Sequence, residues 1–163
     1  MGSRGRAFTI LVVEDHGVMA LELEEAIRKH GGFVLGPAAR VSDALALIDT
    51  TQCDAALLDI KLQYGETAYP VAERLCAKRI PFAFVTGWDR EFGGRYGDAP
   101  VLRKPFGEAE LDGCLRMLID RMLHPDETRE KMAGRPGRNH ANNAVGLRGL
   151  PDPNVTDSPE NHR

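Results

Sequence analysis

The stretch ALLDIKLQYG, residues 56–65, decides how the chain can fold. Its first residues are small or branched and apolar, which is typical of a strand whose two faces are both covered. The run ends abruptly at Asp59, and polar and turn-forming residues follow. A buried carboxylate is costly unless a cation or a hydrogen-bond donor pairs with it. The stretch therefore predicts a buried strand with a functional acid at its end.

Short apolar runs of the same kind alternate with helical patterns along the chain. Strands are predicted at residues 7–13, 31–36, 54–59, 81–86 and 99–103. Helices are predicted at residues 18–29, 67–79 and 107–123, and one more is expected to begin with Ser42 as its N-cap. Strand–helix alternation of this kind implies right-handed βαβ crossovers. The sequence therefore predicts an α/β fold with a doubly wound, five-stranded parallel sheet.

Two segments do not fit this alternation. Residues 87–98, GWDREFGGRYGD, are rich in glycine and charge, so at most a short or mobile fourth helix is expected between the fourth and fifth strands. Residues 124–163 are rich in proline and contain no aromatic residue. Such a composition buries too little apolar surface to offset the entropy of ordering. We therefore predict a domain over residues 1–123 and a disordered polar tail over residues 124–163.

Composition and charge argue against several functional classes. The net charge is −3, and the predicted tail holds as many acidic as basic residues, which is not typical of a nucleic-acid-binding protein. No apolar run approaches the roughly 20 residues that span a bilayer. The apolar stretch near the N-terminus stops at Glu14 and Asp15, unlike a signal peptide. A cytoplasmic protein without a nucleic-acid or membrane partner is expected.

The cysteines and the phenylalanines are assigned to the core. Cys53, Cys76 and Cys114 are scattered and lack the spacing of a zinc site or a disulfide framework. Each is therefore expected in or near the core as a small hydrophobic residue. The rings of Phe33 and of the other phenylalanines in strand segments are expected there too.

The predicted strands end in a set of polar residues that could form one site. Sites in open parallel sheets lie outside the carboxyl ends of the strands. The first strand is followed by Glu14 and Asp15, the third ends at Asp59, the fourth at Thr86, and Lys104 follows the fifth. Three neighbouring carboxylates repel one another strongly, so a cation is expected among them. Mg²⁺ suits these hard oxygen ligands, and Lys104 supplies a second positive charge.

This set of side chains suits phosphoryl transfer. Catalysis of that reaction consists mostly of positioning and of neutralising charge on the phosphoryl oxygens. A carboxylate can act as the nucleophile and form an acyl phosphate, and Asp59 is the central candidate. Lys104 can pair with Asp59 at rest and with a phosphoryl oxygen later. The hydroxyl of Thr86 can donate to the same group.

The combination of VVEDH, LLDI, FVTG and LRKPF resembles the receiver domains of response regulators in two-component signalling, which are CheY-like. The resemblance covers residues 7–123 and implies a flavodoxin-like fold with strand order 2-1-3-4-5. It implies that Asp59 is the phospho-acceptor and that a histidine kinase or a histidine phosphotransfer protein is the donor. By the same resemblance the family's lysine and threonine correspond to Lys104 and Thr86.

The resemblance also implies a metal site and a backbone feature. Asp15 and Asp59 would bind Mg²⁺ directly, Glu14 would bind it through water, and the backbone carbonyl of Lys61 would be a further ligand. The peptide bond before Pro105 would be cis, a form found almost only before proline.

The chain departs from the family in two places. Receivers usually carry an aromatic switch residue three positions before the lysine, and here that position is Val101. The stretch PFAFVTGW resembles the signature of the FATGUY regulators, a subgroup of stand-alone receivers. The residues that match are Phe84, Thr86, Gly87 and Trp88, whereas Val85 and Asp89 depart from the signature. This partial match implies a partner kinase of the HWE or a related class.

Three functions remain open from the sequence. The first is a stand-alone receiver, monomeric or weakly dimeric, that signals by protein contact and whose own chemistry is limited to self-phosphorylation and autodephosphorylation. The second is a Mg²⁺-dependent phosphatase of the haloacid dehalogenase type. That class needs a second aspartate two residues after the nucleophile, where this chain has Lys61. The third is a receiver-like scaffold that is never phosphorylated.

Overall fold

The computed structural model describes residues 7–87, 96 and 98–125. Within these residues the strands are β1 (Thr9–Val13), β2 (Phe33–Ala38), β3 (Ala55–Leu58), β4 (Phe82–Thr86) and β5 (Val101–Arg103). The α-helices are α1 (Gly17–Lys29), α2 (Val41–Thr50), α3 (Tyr69–Lys78) and α4 (Glu108–Leu123), and a short 3-10 turn covers Gln63–Gly65. The predicted alternation of strands and helices is confirmed.

The five strands form one parallel sheet in the order β2-β1-β3-β4-β5, which is the predicted flavodoxin-like order. Every neighbouring pair of strands is parallel. The central strand β3 pairs Leu58 with Val13 of β1 on one side and with Phe84 of β4 on the other. The three central strands therefore end side by side at one edge of the sheet.

A hydrophobic core lies on each face of the sheet. One core is built on alternate residues of the central strands: Leu11, Val13, Ala56, Leu58, Phe82 and Phe84. The other core is built on the intervening residues: Ile10, Val12, Ala55, Leu57, Ala83 and Val85. The first core includes residues of α2 and α3, and the second includes residues of α1 and α4. Because both faces are covered, the strands read as continuous apolar runs.

Most elements begin or end within two residues of the predicted bounds, and two of the differences have a clear structural cause. Helix α2 begins at Val41, with Arg40 at its N-cap position, so the prediction of Ser42 as the cap was wrong. The backbone N–H of Val41 is instead bound by Glu66, a residue of a distant loop that no local pattern reveals. Strand β2 continues to Ala38, past the predicted end at Gly36, after a shift in its pairing with β1.

Two side chains assigned to the core are exposed. Phe33 is 62% exposed because it begins β2, an outermost strand of the sheet. Cys76 is exposed because it follows Leu75, which is on the buried side of α3, and the helix turns the next side chain away. Cys53 and Cys114 are buried as predicted.

Two predicted features lie outside the described residues. The short or mobile fourth helix was predicted in residues 87–98, of which the structure describes only Gly87, Tyr96 and Asp98. The disordered tail was predicted for residues 124–163, and the description stops at residue 125. The domain boundary therefore stays a prediction. Within the described part of the chain no helix is both long and apolar enough to cross a membrane.

We expect Gly36→Ala to destabilise the protein by about 1–3 kcal/mol. Gly36 has a φ of +93°, and an added Cβ would lie 2.8 Å from the nitrogen of Ala38 and 2.9 Å from the oxygen of Val12. Gly113→Ala in α4 is the control, because its Cβ would meet nothing within 4 Å and alanine favours helices. Urea unfolding of both variants tests this, and equal midpoints would contradict it.

We expect the folded protein to have one rapidly reacting thiol. Burial raises the pKa of Cys53 to about 11 and also raises the pKa of Cys114, so both stay protonated at pH 8. Cys76 is exposed and should react with a chromogenic disulfide such as DTNB before the other two. Cys76→Ser should remove the rapid phase, and denaturant should make every remaining thiol reactive. Rapid labelling of Cys76→Ser would contradict the assigned burial.

Candidate functional site

The pairing of the sheet fixes the backbone of each predicted site residue. Asp59 directly follows β3, and its N–H donates to the carbonyl oxygen of Val13 at 2.8 Å. Glu14 is the residue after Val13 and is therefore next to Asp59. At the ends of β4 and β5, the N–H of Lys104 donates to the carbonyl oxygen of Thr86 at 3.0 Å. The ends of β1, β3, β4 and β5 thus present these residues at one edge.

Lys104 joins the two buried carboxylates. Its Nζ donates to Oε2 of Glu14 at 2.7 Å and to Oδ2 of Asp59 at 2.9 Å. Glu14 is only 2% exposed and Asp59 only 8% exposed, so water can solvate neither carboxylate well. Since buried carboxylates need a pairing charge, this ammonium group makes the pair tolerable.

Backbone amides bind the remaining oxygens of the same two carboxylates. Oδ1 of Asp59 accepts the N–H of Lys61 at 3.2 Å, and Oε1 of Glu14 accepts the N–H of His16 at 2.9 Å. Each carboxylate is therefore held by one side chain and one amide. Among the described residues no buried side-chain nitrogen or oxygen lacks a partner.

Burial and pairing shift two pKa values in the site. Burial raises the pKa of Glu14 above its usual value, although the hydrogen bond from Lys104 opposes that shift. For Lys104 burial alone would lower the pKa, but the hydrogen bonds to Asp59 and Glu14 outweigh it and raise the pKa. Lys104 is therefore a fixed positive charge at neutral pH.

The donor set at this edge fits a divalent cation. Glu14, Asp15 and Asp59 each offer one carboxylate oxygen, and these oxygens lie within 4.8 Å of one another. Oxygen ligands of this kind suit Mg²⁺, which prefers a few carboxylates and keeps some of its water. When all three carboxylates are ionised, Lys104 balances only one of their charges, so a divalent ion would neutralise the rest.

The structure brings most of the predicted site residues together. Hydrogen bonds from Lys104 join Glu14 and Asp59, and Asp15 completes the acidic group. Thr86 is 1% exposed and is tied to this edge through its backbone bond to Lys104. Their chemical roles, including the predicted metal ligation, stay predictions.

The remaining predicted residues surround this group. The side chain of Lys61 is exposed, and its amide contacts Asp59, while the role of its carbonyl as a ligand stays a prediction. The peptide bond between Lys104 and Pro105 is cis, as expected. A Cβ added to Gly87 would lie 3.9 Å from the Cβ of Lys104, so Gly87 borders the site. Trp88 and Asp89 of the FATGUY comparison lie outside the described residues.

An aromatic side chain contacts β4 even though the predicted switch position is not aromatic. Val101 is 37% exposed and pairs with Phe84 across the β4–β5 ladder. The ring of Tyr96 lies 5.8 Å from the ring of Phe84 and is stacked with Tyr69 at 6.0 Å. Phe84 is two residues before Thr86, on the same face of β4. The sequence pattern did not reveal this contact, because Tyr96 belongs to a stretch rich in glycine and charge that has no helical or strand period.

The chain is similar in sequence and in fold to several known proteins. No family model matches it. The solution structure of SdrG from Sphingomonas melonis Fr1 is 38% identical, with 69% of this chain and 97% of that chain covered and a TM-score of 0.62. The crystal structure of a CheY-like response regulator receiver domain protein from Methanospirillum hungatei JF-1 is 22% identical, with 73% and 98% covered and a TM-score of 0.64. At that identity the second likeness shows the fold alone.

Curated relatives match a smaller share of their own length. The transcriptional regulatory protein PdtaR from Mycobacterium tuberculosis is 25% identical over 117 residues, which are 69% of this chain and 57% of that protein. The chain thus spans about half the length of the curated relatives it matches, from 44% to 57%.

We expect Lys104→Met to lower the free energy of unfolding by about 1–3 kcal/mol when divalent ions are removed, because two buried carboxylates lose the hydrogen-bond donor that they share. Mg²⁺ should restore part of the loss by supplying positive charge. Lys29→Met is the matched control, since Lys29 pairs with Glu108 on the exposed surface. Urea unfolding with EDTA and with Mg²⁺ tests this. Equal effects of the two substitutions would contradict it.

Proposed function

The chain belongs to the CheY-like receiver domains of response regulators, and from this membership we propose that it is a stand-alone receiver that accepts a phosphoryl group on Asp59. One observation carries the proposal: Lys104 joins Glu14 and Asp59 at the strand ends, beside a third carboxylate. Support for the stand-alone form comes from the match to 97% of the SdrG chain. The protein then signals and does not turn over a metabolite.

The residues at the sheet edge suit acceptance of a phosphoryl group. An oxygen of Asp59 attacks the phosphorus of a phosphohistidine, the P–N bond breaks, and an acyl phosphate forms. The amide of Lys61 and the ammonium of Lys104 hold the carboxylate in one orientation before the attack. Positioning of this kind supplies much of the acceleration in phosphoryl transfer.

Lys104 and Thr86 are proposed to stabilise the product. Once Asp59 carries the phosphoryl group, Lys104 can move its donors from the carboxylate to a phosphoryl oxygen. The hydroxyl of Thr86 can donate to another of these oxygens. Mg²⁺ bound by Glu14, Asp15, Asp59 and the carbonyl of Lys61 would neutralise negative charge on the phosphoryl group.

The surface beside the acceptor suits docking of a phosphohistidine donor. Val18 is 73% exposed and Leu21 is 64% exposed, and both lie near the start of α1, just after Asp15. Exposed apolar side chains next to a reactive group favour a protein partner. We propose that the donor is a histidine kinase or a histidine phosphotransfer protein, and the partial FATGUY match favours the HWE class of kinase.

The other properties of the proposed receiver follow from this chemistry. Its output is a contact with a downstream protein, and it works as a monomer or a weak homodimer. No nucleic-acid or membrane partner is part of the proposal. The cytoplasm is the proposed location, because a histidine kinase takes its phosphoryl group from ATP in that compartment.

The two alternatives have less support. A phosphatase of the haloacid dehalogenase type needs a general acid two residues after Asp59. Lys61 occupies that position, and its side chain is exposed. A scaffold that is never phosphorylated would have no need of three carboxylates and a lysine at one edge, because such a group is costly to bury.

We expect acetyl phosphate with Mg²⁺ to add one phosphoryl group to the protein, as measured by intact mass. Asp59→Asn should abolish the addition, and EDTA should suppress it. Asp43→Asn, at an exposed position in the first turn of α2, is the control and should be phosphorylated like the unchanged protein.

Each other outcome would favour a different function. Addition to Asp59→Asn would show that the acceptor is another residue. Rapid hydrolysis of a generic phosphate ester would favour the phosphatase. A protein that is neither phosphorylated nor active on esters would favour the scaffold.

A further inference from the structure

The loop that follows Asp59 is fastened to the start of α2 by one side chain. Oε2 of Glu66 accepts the backbone N–H of Val41 at 2.9 Å, and Oε1 accepts a guanidinium N–H of Arg40 at 3.1 Å. Helix α2 has no capping side chain of its own, since Arg40 stands at the N-cap position and makes no such bond. Glu66 therefore serves α2 as a local serine or aspartate serves other helices.

The loop itself is a small closed turn. Lys61 and Thr67 form an isolated antiparallel bridge, and the N–H of Leu62 donates to the carbonyl oxygen of Glu66 at 3.0 Å. The tip passes through Tyr64 and Gly65, both with positive φ. Glu66 thus lies directly across the turn from Leu62. A displacement of Glu66 would therefore move Leu62 through this hydrogen bond, and Lys61 is the residue next to Leu62.

The turn ends at the proposed acceptor. The N–H of Lys61 donates to Oδ1 of Asp59 at 3.2 Å. Hydrogen bonds therefore link the first turn of α2 to Glu66 and Glu66 to Leu62, and Leu62 is covalently bonded to Lys61, whose amide binds the carboxylate of Asp59. Lys61 is also the residue whose carbonyl is a predicted metal ligand.

A second contact joins the same two segments. The guanidinium of Arg40 lies over the ring of Tyr64, 5.4 Å from its centroid. The ring of Tyr64 is otherwise largely exposed to solvent, at 83%. The cation–π contact therefore adds to Glu66 in holding the turn against the start of α2. The hydrogen bond from Val41 and then the one from Arg40 lower the pKa of Glu66, so the side chain is charged at neutral pH.

We propose that Glu66 is a positioning residue for Asp59. By fixing the turn against α2, it holds the amide and carbonyl of Lys61 in place, and so it sets the affinity for Mg²⁺ and the rate of phosphoryl acceptance. The proposal rests on the proposed function of Asp59. Removal of a group that hydrogen-bonds a metal ligand directly changes metal affinity or activity by about 10–100-fold, and because Glu66 acts through Leu62 we expect the low end of that range.

Three variants separate positioning from simple helix capping. Glu66→Ala removes both bonds to α2, and Glu66→Gln keeps an oxygen for Val41 while it loses the charge that pairs with Arg40. The double variant Arg40→Ser with Glu66→Ala gives α2 a local cap, because Arg40 has the extended backbone of an N-cap residue. The double variant therefore restores capping without restoring the link to the turn. Glu108→Ala, which removes an exposed ion pair in α4, is the control.

Four measurements are made on each variant of the full chain. They are the urea midpoint, the exchange rate of the Lys61 amide without divalent ions, the Mg²⁺ dissociation constant from amide chemical shifts, and the initial rate of phosphorylation by acetyl phosphate. Glu66→Ala should lower the urea midpoint, speed exchange at Lys61, and weaken Mg²⁺ binding and slow phosphorylation by about tenfold. Glu66→Gln should be intermediate, and Glu108→Ala should match the unchanged protein.

The double variant decides the question. We expect it to regain the urea midpoint but to keep the fast exchange, the weak Mg²⁺ binding and the slow phosphorylation. Recovery of all four properties would show that Glu66 is only a cap, and an unaffected Glu66→Ala would also overturn the proposal. If the unchanged protein takes up no phosphoryl group while exchange and Mg²⁺ binding still respond to Glu66→Ala, the proposed function fails and the positioning role stands.

Discussion

The rest of this site depends on the contact of one ammonium group with two buried carboxylates. Without Lys104, Glu14 and Asp59 would lie side by side with little solvent, and their repulsion would favour protonation of one of them. The contact is 2.7 Å to one acid and 2.9 Å to the other, so the lysine is shared nearly equally. A shared partner can leave one acid and still bind the other, which suits the proposed phosphorylation of Asp59.

The order of the strands makes this contact possible. Lys104 follows Glu14 by 90 residues and Asp59 by 45 residues in the sequence. Flexible loops alone could not keep side chains so far apart in sequence at hydrogen-bonding distance. The parallel sheet holds them together because each of these residues directly follows a strand that is hydrogen-bonded to a neighbouring strand. Both faces of the sheet are packed against helices, so the strands cannot slide without exposing apolar surface.

The sequence predicted the strands, their ends and the order of the sheet, because local pattern and topology agree there. It did not predict features that depend on contacts between distant residues. The positions of Asp59 and Lys104, though not their roles, were predictable because apolar runs marked the strand ends, and parallel strands end at the same edge. The cap of α2 was not predictable, because Glu66 reaches it from another loop. The same holds for Tyr96, whose contacts with β4 depend on tertiary packing. Phe33 was misassigned because hydrophobicity does not reveal which strand is outermost.

The attachment of the proposed acceptor site to the sheet separates its proposed chemistry from the proposed docking surface. The backbones of Glu14, Asp59 and Lys104 are fixed by strand pairing, whereas Val18 and Leu21 are exposed on the surface of α1. Substitution of these helix residues could therefore change the proposed partner without disturbing the hydrogen-bonded group at the sheet edge. Duplicated copies of such a domain could diverge into insulated signalling pathways while they retain the same chemistry.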